Sequence, residues 1–297
     1  MSKDIIFEGI ATALVTPMKS NFEVDFESLG KLIDWQIDEG INGIVICGTT
    51  GEASTLNDDE HKECIRFAVE RAAGRVPIIA GTGSNDTAHG QQLTEYACKV
   101  GADACLVVTP YYNKVTQDGL VRMYDAYAES STVPIIVYNV PGRTGVNILP
   151  ETYERLAEND KLVAIKEANN NIASVTDTLA RVQGKMNMYS GNDDQIVPIM
   201  SVGGIGCISV LSNILPKETV EMAARFLAGD VKGAAELQLK YRPLVASLFC
   251  EVNPIPAKAA VAALGFCENV VRAPLYPMSE KNYERLINDM RAVGLNV

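Results

Sequence analysis

Eight short apolar runs, each separated from the next by an amphipathic stretch, limit what this chain can fold into. The runs lie at 10–15, 43–47, 77–80, 104–108, 134–138, 162–166, 186–190 and 206–210. Between them the spacing is helical: Leu93, Tyr96, Ala97 and Val100 form one stripe, and Leu120, Met123, Tyr124 and Tyr127 another. Asn57 ahead of Asp58, Asp59 and Glu60 marks a helix start, and Asp86 opens the next helix in the same way. Such βαβα alternation predicts an α/β protein with a parallel sheet and helices outside it. Eight strands favour a closed (β/α)8 barrel, a TIM barrel, over an open doubly wound sheet.

Neither glycine cluster supports the open alternative. Gly81-Thr82-Gly83 lacks a third glycine at Asp86, and Gly204-Ile205-Gly206 lacks one at Ser209, so the dinucleotide fingerprint is incomplete in both. From Pro216 onward the pattern is helical only. We therefore expect a barrel domain over residues 1–215 and a helical C-terminal extension over 216–297.

Composition narrows the function. A net charge of −11 argues against nucleic acid, whose phosphates draw their partners through clustered Lys and Arg. No run approaches the ~20 apolar residues of a membrane span, and Met1, Ser2, Lys3 and Asp4 lack the layout of a secretory signal, so a cytoplasmic location is expected. The seven cysteines form no C-x-x-C and read as reduced thiols, most of them buried. With only two histidines, His61 and His89, both expected at the surface, a metal site is not expected.

In barrels of this kind the chemistry sits where strands end, so the residues after each run are read together. Lys166 closes the run Leu162-Val163-Ala164-Ile165. Burial there would disfavour its charged form and leave a neutral, nucleophilic amine, although an ion pair with Glu167 or another acid at a strand end is at least as good an alternative. Tyr138 ends the preceding run, where its phenol could pass protons or merely fill the barrel mouth. Thr49 and Thr50 lie in a glycine-flanked turn able to hold a small carboxylate. Arg143, in Pro141-Gly142-Arg143-Thr144-Gly145, could clamp a second carboxylate or simply be solvated.

Four segments, GTTGEASTL (48–56), VTPYYNKVTQDGL (108–120), YNVPGRTGVNI (138–148) and AIKEA (164–168), occur in the order and spacing of the dihydrodipicolinate synthase family. The chain resembles that family of pyruvate-dependent Schiff-base lyases from Ile10 to Val210 and beyond. The resemblance implies roles. Lys166 would form the Schiff base, and Tyr138 would act as general acid/base. Thr49 would relay protons between Tyr138 and Tyr112, the latter supplied by a neighbouring subunit. Thr50 would receive the pyruvate carboxylate and Arg143 the carboxylate of aspartate 4-semialdehyde, with Gly191 and Ile208 lining the pocket. It further implies no cofactor, since the lysine serves as electron sink, and a homo-oligomer built as a dimer of dimers.

Against feedback-inhibited members of that family, Asn85, Tyr111 and His61 fit the lysine-binding site. Asp58 stands where those enzymes often have His, and His89 where a Glu would hold the inhibitor's ammonium. Weak or absent inhibition by lysine is therefore expected. Three other readings are kept open. The first is a sialic acid or 2-keto-3-deoxy-sugar-acid lyase sharing Lys166 and Tyr138, against which Arg143 speaks. The others are a non-catalytic binding homologue and a pyridoxal-phosphate barrel using Gly81-Thr82-Gly83-Ser84 as its phosphate loop.

Overall fold

The computed structural model describes residues 5–297, and the expectation at Met1, Ser2, Lys3 and Asp4 lies outside them. Eight parallel strands close into a barrel in chain order, the last pairing back to the first. They are β1 (Gly9–Ala13), β2 (Gly43–Ile46), β3 (Ile78–Gly81), β4 (Ala104–Val108), β5 (Ile135–Asn139), β6 (Leu162–Glu167), β7 (Asn187–Ser190) and β8 (Gly206–Ser209). Each falls within two residues of its expected run. Eight helices precede the last part of the chain: α1 (Phe26–Asp38), α2 (Asp58–Ala72), α3 (Thr87–Val100), α4 (Gln117–Ser130), α5 (Pro141–Thr144), α6 (Pro150–Leu156), α7 (Ile172–Val182) and α8 (Ile196–Ser201). After β8 come α9 (Pro216–Leu227), α10 (Val231–Leu248), α11 (Ile255–Ala263) and α12 (Glu280–Ala292).

Alternation along the strands makes two cores. Ala11, Val45, Ile79, Leu106, Ile136 and Ile208 fill the barrel, while Ile10, Ile44, Cys105, Val137 and Ile165 point out against the helices. Each fully buried aliphatic side chain contributes about 1.5–3 kcal/mol, so both layers resist a slip of register. One step breaks the alternation. Ile135 pairs with Leu162 but Ile136 pairs with Ala164, leaving Val163 as an extra residue in β6. Val163 and Ala164 therefore both join the inner cluster, Ile165 turns outward, and Lys166 returns to the inner face with Glu167 behind it.

The expected helix starts are built as capping chemistry requires. Asn57 Oδ1 accepts from the Glu60 amide at 3.0 Å while Glu60 Oε2 accepts from the Asn57 amide at 3.1 Å, a reciprocal capping box. Asp86 accepts from the Ala88 amide at 3.0 Å and so caps α3.

His61 corrects an expectation. It is buried rather than at the surface, because Cys64, Ile65 and Ala68 put it on the stripe of α2 that covers the barrel. Its Nε2 lies 2.8 Å from the Gly81 carbonyl, which makes that nitrogen the donor, and burial holds the imidazole below its usual pKa. All seven cysteines are free, with Cys47, Cys64, Cys105 and Cys207 buried. Among the described residues no helix is long and apolar enough to cross a membrane.

Candidate active site

The geometry begins with the register of β5 on β6, which sets Tyr138 opposite Lys166. Both side chains are buried at the C-terminal ends of their strands, and Lys166 Nζ lies 4.3 Å from the centre of the Tyr138 ring. The ion pair with Glu167 fails on direction. Glu167 projects from the opposite face of β6, where it accepts from Asn139, Tyr153 and Asn169. Lys166 is thus an amine against a phenol with no carboxylate bound to it, an arrangement suited to attack on a carbonyl.

The turn after β2 is bracketed by two residues in the left-handed region, Cys47 at φ 54° and Glu52 at φ 57°. Non-glycine residues persist there only when their surroundings hold them, at a cost of about 1–3 kcal/mol each. Here Thr16 Oγ1 donates to the Gly51 carbonyl at 2.7 Å, and Asn253 Nδ2 donates to Thr50 Oγ1 at 2.9 Å. Among the described residues the amides of Thr49 and Thr50 have no hydrogen-bond partner. Two adjacent free N–H groups in a tight turn form the kind of concavity that binds a carboxylate.

Arg143 lies in α5, exposed, with Nη2 donating to the Asn253 carbonyl at 3.0 Å. Thr49, Tyr138 and Arg143 line one cavity of about 570 Å³, which runs on past Asn85, His89 and Tyr111. Lys166, against the Tyr138 ring, is not among the residues that line it. Ile208 lies in the inner core, and the Gly191 amide donates to the Glu167 carbonyl at 2.7 Å. A Cβ on Gly191 would come within 2.8 Å of the Ala168 Cβ, so only glycine lets β7 turn away there. Tyr112 stands apart. It is 94% exposed at φ 72°, outside the cavity of its own chain.

Three groups at this rim escaped the sequence reading. Asn253 bridges Thr50 and Arg143 from 203 residues away in the chain. Lys258, from α11, is fully buried against Glu52 and also donates to the Thr16 carbonyl at 2.6 Å. Asp193 is buried beyond β7, accepting from Ser209 Oγ and from the Val210 and Leu211 amides; burial still leaves its carboxyl above the usual range. None carries a periodic or motif signal, although a lysine inside the apolar stretch Ile255-Pro256-Ala257-Lys258-Ala259 is itself an anomaly that asks for a partner. At the far end of the cavity His89 Nε2 lies 3.0 Å from Asp58 Oδ1, joining α3 to α2. The supposed phosphate loop is already committed. The Thr82 and Gly83 amides donate to Leu106 and the Ser84 amide to Tyr127, so none of these three amides is left for a phosphate.

Fold and rim together define a class, the (β/α)8-barrel enzymes that present a buried lysine amine to a carbonyl substrate. Comparison with known proteins gives the family. The profile of the dihydrodipicolinate synthetase family matches residues 6–293, and the chain belongs to that family. It is 52% identical over 291 residues to the 4-hydroxy-tetrahydrodipicolinate synthase of Lachnoclostridium phytofermentans, covering 98% of this chain and 99% of that one. Among solved structures it is similar to the chloride-inhibited dihydrodipicolinate synthase of Acinetobacter baumannii complexed with pyruvate. That match has 45% identity and a TM-score of 0.95, over 98% of this chain and 99% of the other. It matches the dihydrodipicolinate synthase of Thermotoga maritima with the same TM-score of 0.95 at 44% identity, over 98% and 99%. Membership, with these relatives, makes the chain an enzyme of the lyase class.

Proposed function

We propose that this chain condenses pyruvate with L-aspartate 4-semialdehyde through a Schiff base on Lys166, giving 4-hydroxy-tetrahydrodipicolinate on the path to diaminopimelate and lysine. The observation that carries the reading is the buried Lys166 amine 4.3 Å from the Tyr138 ring at the mouth of the barrel. The amine adds to the pyruvate ketone, water leaves, and the resulting iminium acidifies the methyl group so that an enamine forms. The enamine carbon attacks the aldehyde. The product's own amine then displaces Lys166 and closes the ring, returning the lysine.

In this reading Tyr138 moves the protons of imine formation, connected through Thr49 to Tyr112 of a neighbouring subunit. The free amides of the Thr49–Thr50 turn and the Thr50 side chain take the pyruvate carboxylate. Arg143 takes the carboxylate of the aldehyde, and Gly191 and Ile208 shape the floor. The working form in this reading is a homo-oligomer, a dimer of dimers, in the cytoplasm, and the exposure of Tyr112 in a single chain is consistent with its meeting a neighbouring subunit. Inhibition by lysine is weak, since His89 occupies Asp58 and supplies no acid of its own to an ammonium.

Treating the enzyme with pyruvate and borohydride and mapping the adduct by mass spectrometry tests the central step. A modified peptide containing Lys166, together with loss of turnover in Lys166→Ala, is the expected result. Full turnover by Lys166→Ala, or an adduct elsewhere, would overturn it.

A further inference from the structure

The β5–β6 register pairs two sets of residues, one on each face. Inside are Tyr138 and Lys166, and outside are Asn139 and Glu167. Glu167 is 1% exposed, and every bond its carboxylate accepts comes from a neutral group. Oε1 takes the Asn139 Nδ2 at 2.9 Å and the Asn169 amide at 2.9 Å; Oε2 takes the Tyr153 hydroxyl at 3.1 Å. A buried carboxylate without a cation is costly, so its neighbours must be held to it. Three directed donors answer that need.

Asn139, itself fully buried, is the hinge of the arrangement. Its Nδ2 also donates to Asn147 Oδ1 at 2.9 Å, and its Oδ1 accepts from the Ile148 amide at 3.1 Å. The loop that leaves β5 at Val140 is therefore tied back to its own root at 147 and 148. Arg143 sits inside it. An asparagine amide can point either way, but the Ile148 amide only donates and the Glu167 oxygens beside it accept, so the NH2 turns to Glu167 and the oxygen to Ile148.

We infer that Glu167 is a positioning residue that fixes the Arg143 loop by orienting the Asn139 amide. The inference rests on the reading of Arg143 as the clamp for the aldehyde's carboxylate. It assigns the residue after the Schiff-base lysine to the second substrate, not to the first.

Kinetics and hydrogen exchange together test it on the whole enzyme. Glu167→Ala is expected to raise KM for aspartate 4-semialdehyde by about tenfold to a hundredfold, as misplacement of a clamping group does. KM for pyruvate and the rate of borohydride trapping at Lys166 should stay within about twofold. Exchange of the amides in 140–148 should quicken. Glu167→Gln keeps an oxygen for Asn139 and should recover most of the loss; it also serves if the alanine variant folds poorly. In the double variant with Arg143→Ala, the second change should add nothing to the first. Unchanged exchange in 140–148, an equal rise in both KM values, or additive losses in the double variant would overturn the inference. If exchange quickens while Arg143→Ala alone leaves KM for the aldehyde unaltered, the loop link stands and the role given to Arg143 falls.

Discussion

Lys258 Nζ lies 2.8 Å from Glu52 Oε1 with both side chains closed to solvent, a bond that joins α11 to the turn carrying Thr49 and Thr50. Glu52 Oε2 accepts in addition from the Arg272 amide at 3.0 Å. The C-terminal helices therefore help to build the rim as well as cover the barrel. Removing one member of a buried pair strands the other charge, which costs about 3–5 kcal/mol, whereas removing both costs far less. Lys258→Met should lose stability by that amount in urea unfolding, and Glu52→Gln with Lys258→Met should regain much of it. A single variant as stable as the parent would refute the account.

Glu167 gives stability a pH dependence of known sign. Burial pushes its carboxyl from the usual 4.5 up to about 7. Between those values the folded chain holds a proton that the unfolded chain has released, so the contribution of this group to stability falls as pH rises through the window. Fully ionised, the penalty is about 3 kcal/mol. Glu167→Gln cannot ionise and escapes it. The stability of the variant relative to the parent should therefore improve steadily from pH 4.5 to above 7 in paired urea titrations; a constant difference across that range would exclude a titrating Glu167.

The His89–Asp58 contact predicts the response to lysine. An ammonium entering there meets an acid already engaged by an imidazole, and forfeits a charge-assisted bond of about 1.5–3 kcal/mol. Micromolar lysine should leave initial rates unaltered. His89→Glu should make the enzyme measurably more sensitive, and strong inhibition of the parent at micromolar lysine would sink the prediction.

Tyr112 separates catalysis from stability. With its side chain 94% exposed in the single chain, Tyr112→Phe should leave the unfolding midpoint of the chain nearly unaltered. If its hydroxyl completes a proton relay in a neighbouring subunit, kcat should fall by about a hundredfold. Sedimentation velocity should show a species larger than one chain, with specific activity dropping as that species dissociates on dilution. Undiminished kcat in Tyr112→Phe would remove the residue from the mechanism.

Much of the architecture could be read in one dimension because its signals are local. A strand writes period two and a helix period 3.6 into its own residues, and caps such as Asn57 and Asp86 act within three positions. His61 was misread because the stripe it belongs to, with Cys64, Ile65 and Ala68, is interrupted by polar neighbours. A histidine on such a stripe is placed by the carbonyl it finds, here that of Gly81.

The sequence alone determined the eight strands and the helices around them, since each follows from neighbours a few positions apart. The tertiary structure alone decided the rest. It showed that an extra residue at Val163 turns Lys166 inward and Glu167 outward, that Asn253 reaches Thr50 across 203 residues, and that Lys258 finds Glu52. Those choices depend on which groups meet when the barrel closes and the helices dock. Their free energy arises from burial and pairing between distant segments, and no local pattern records it.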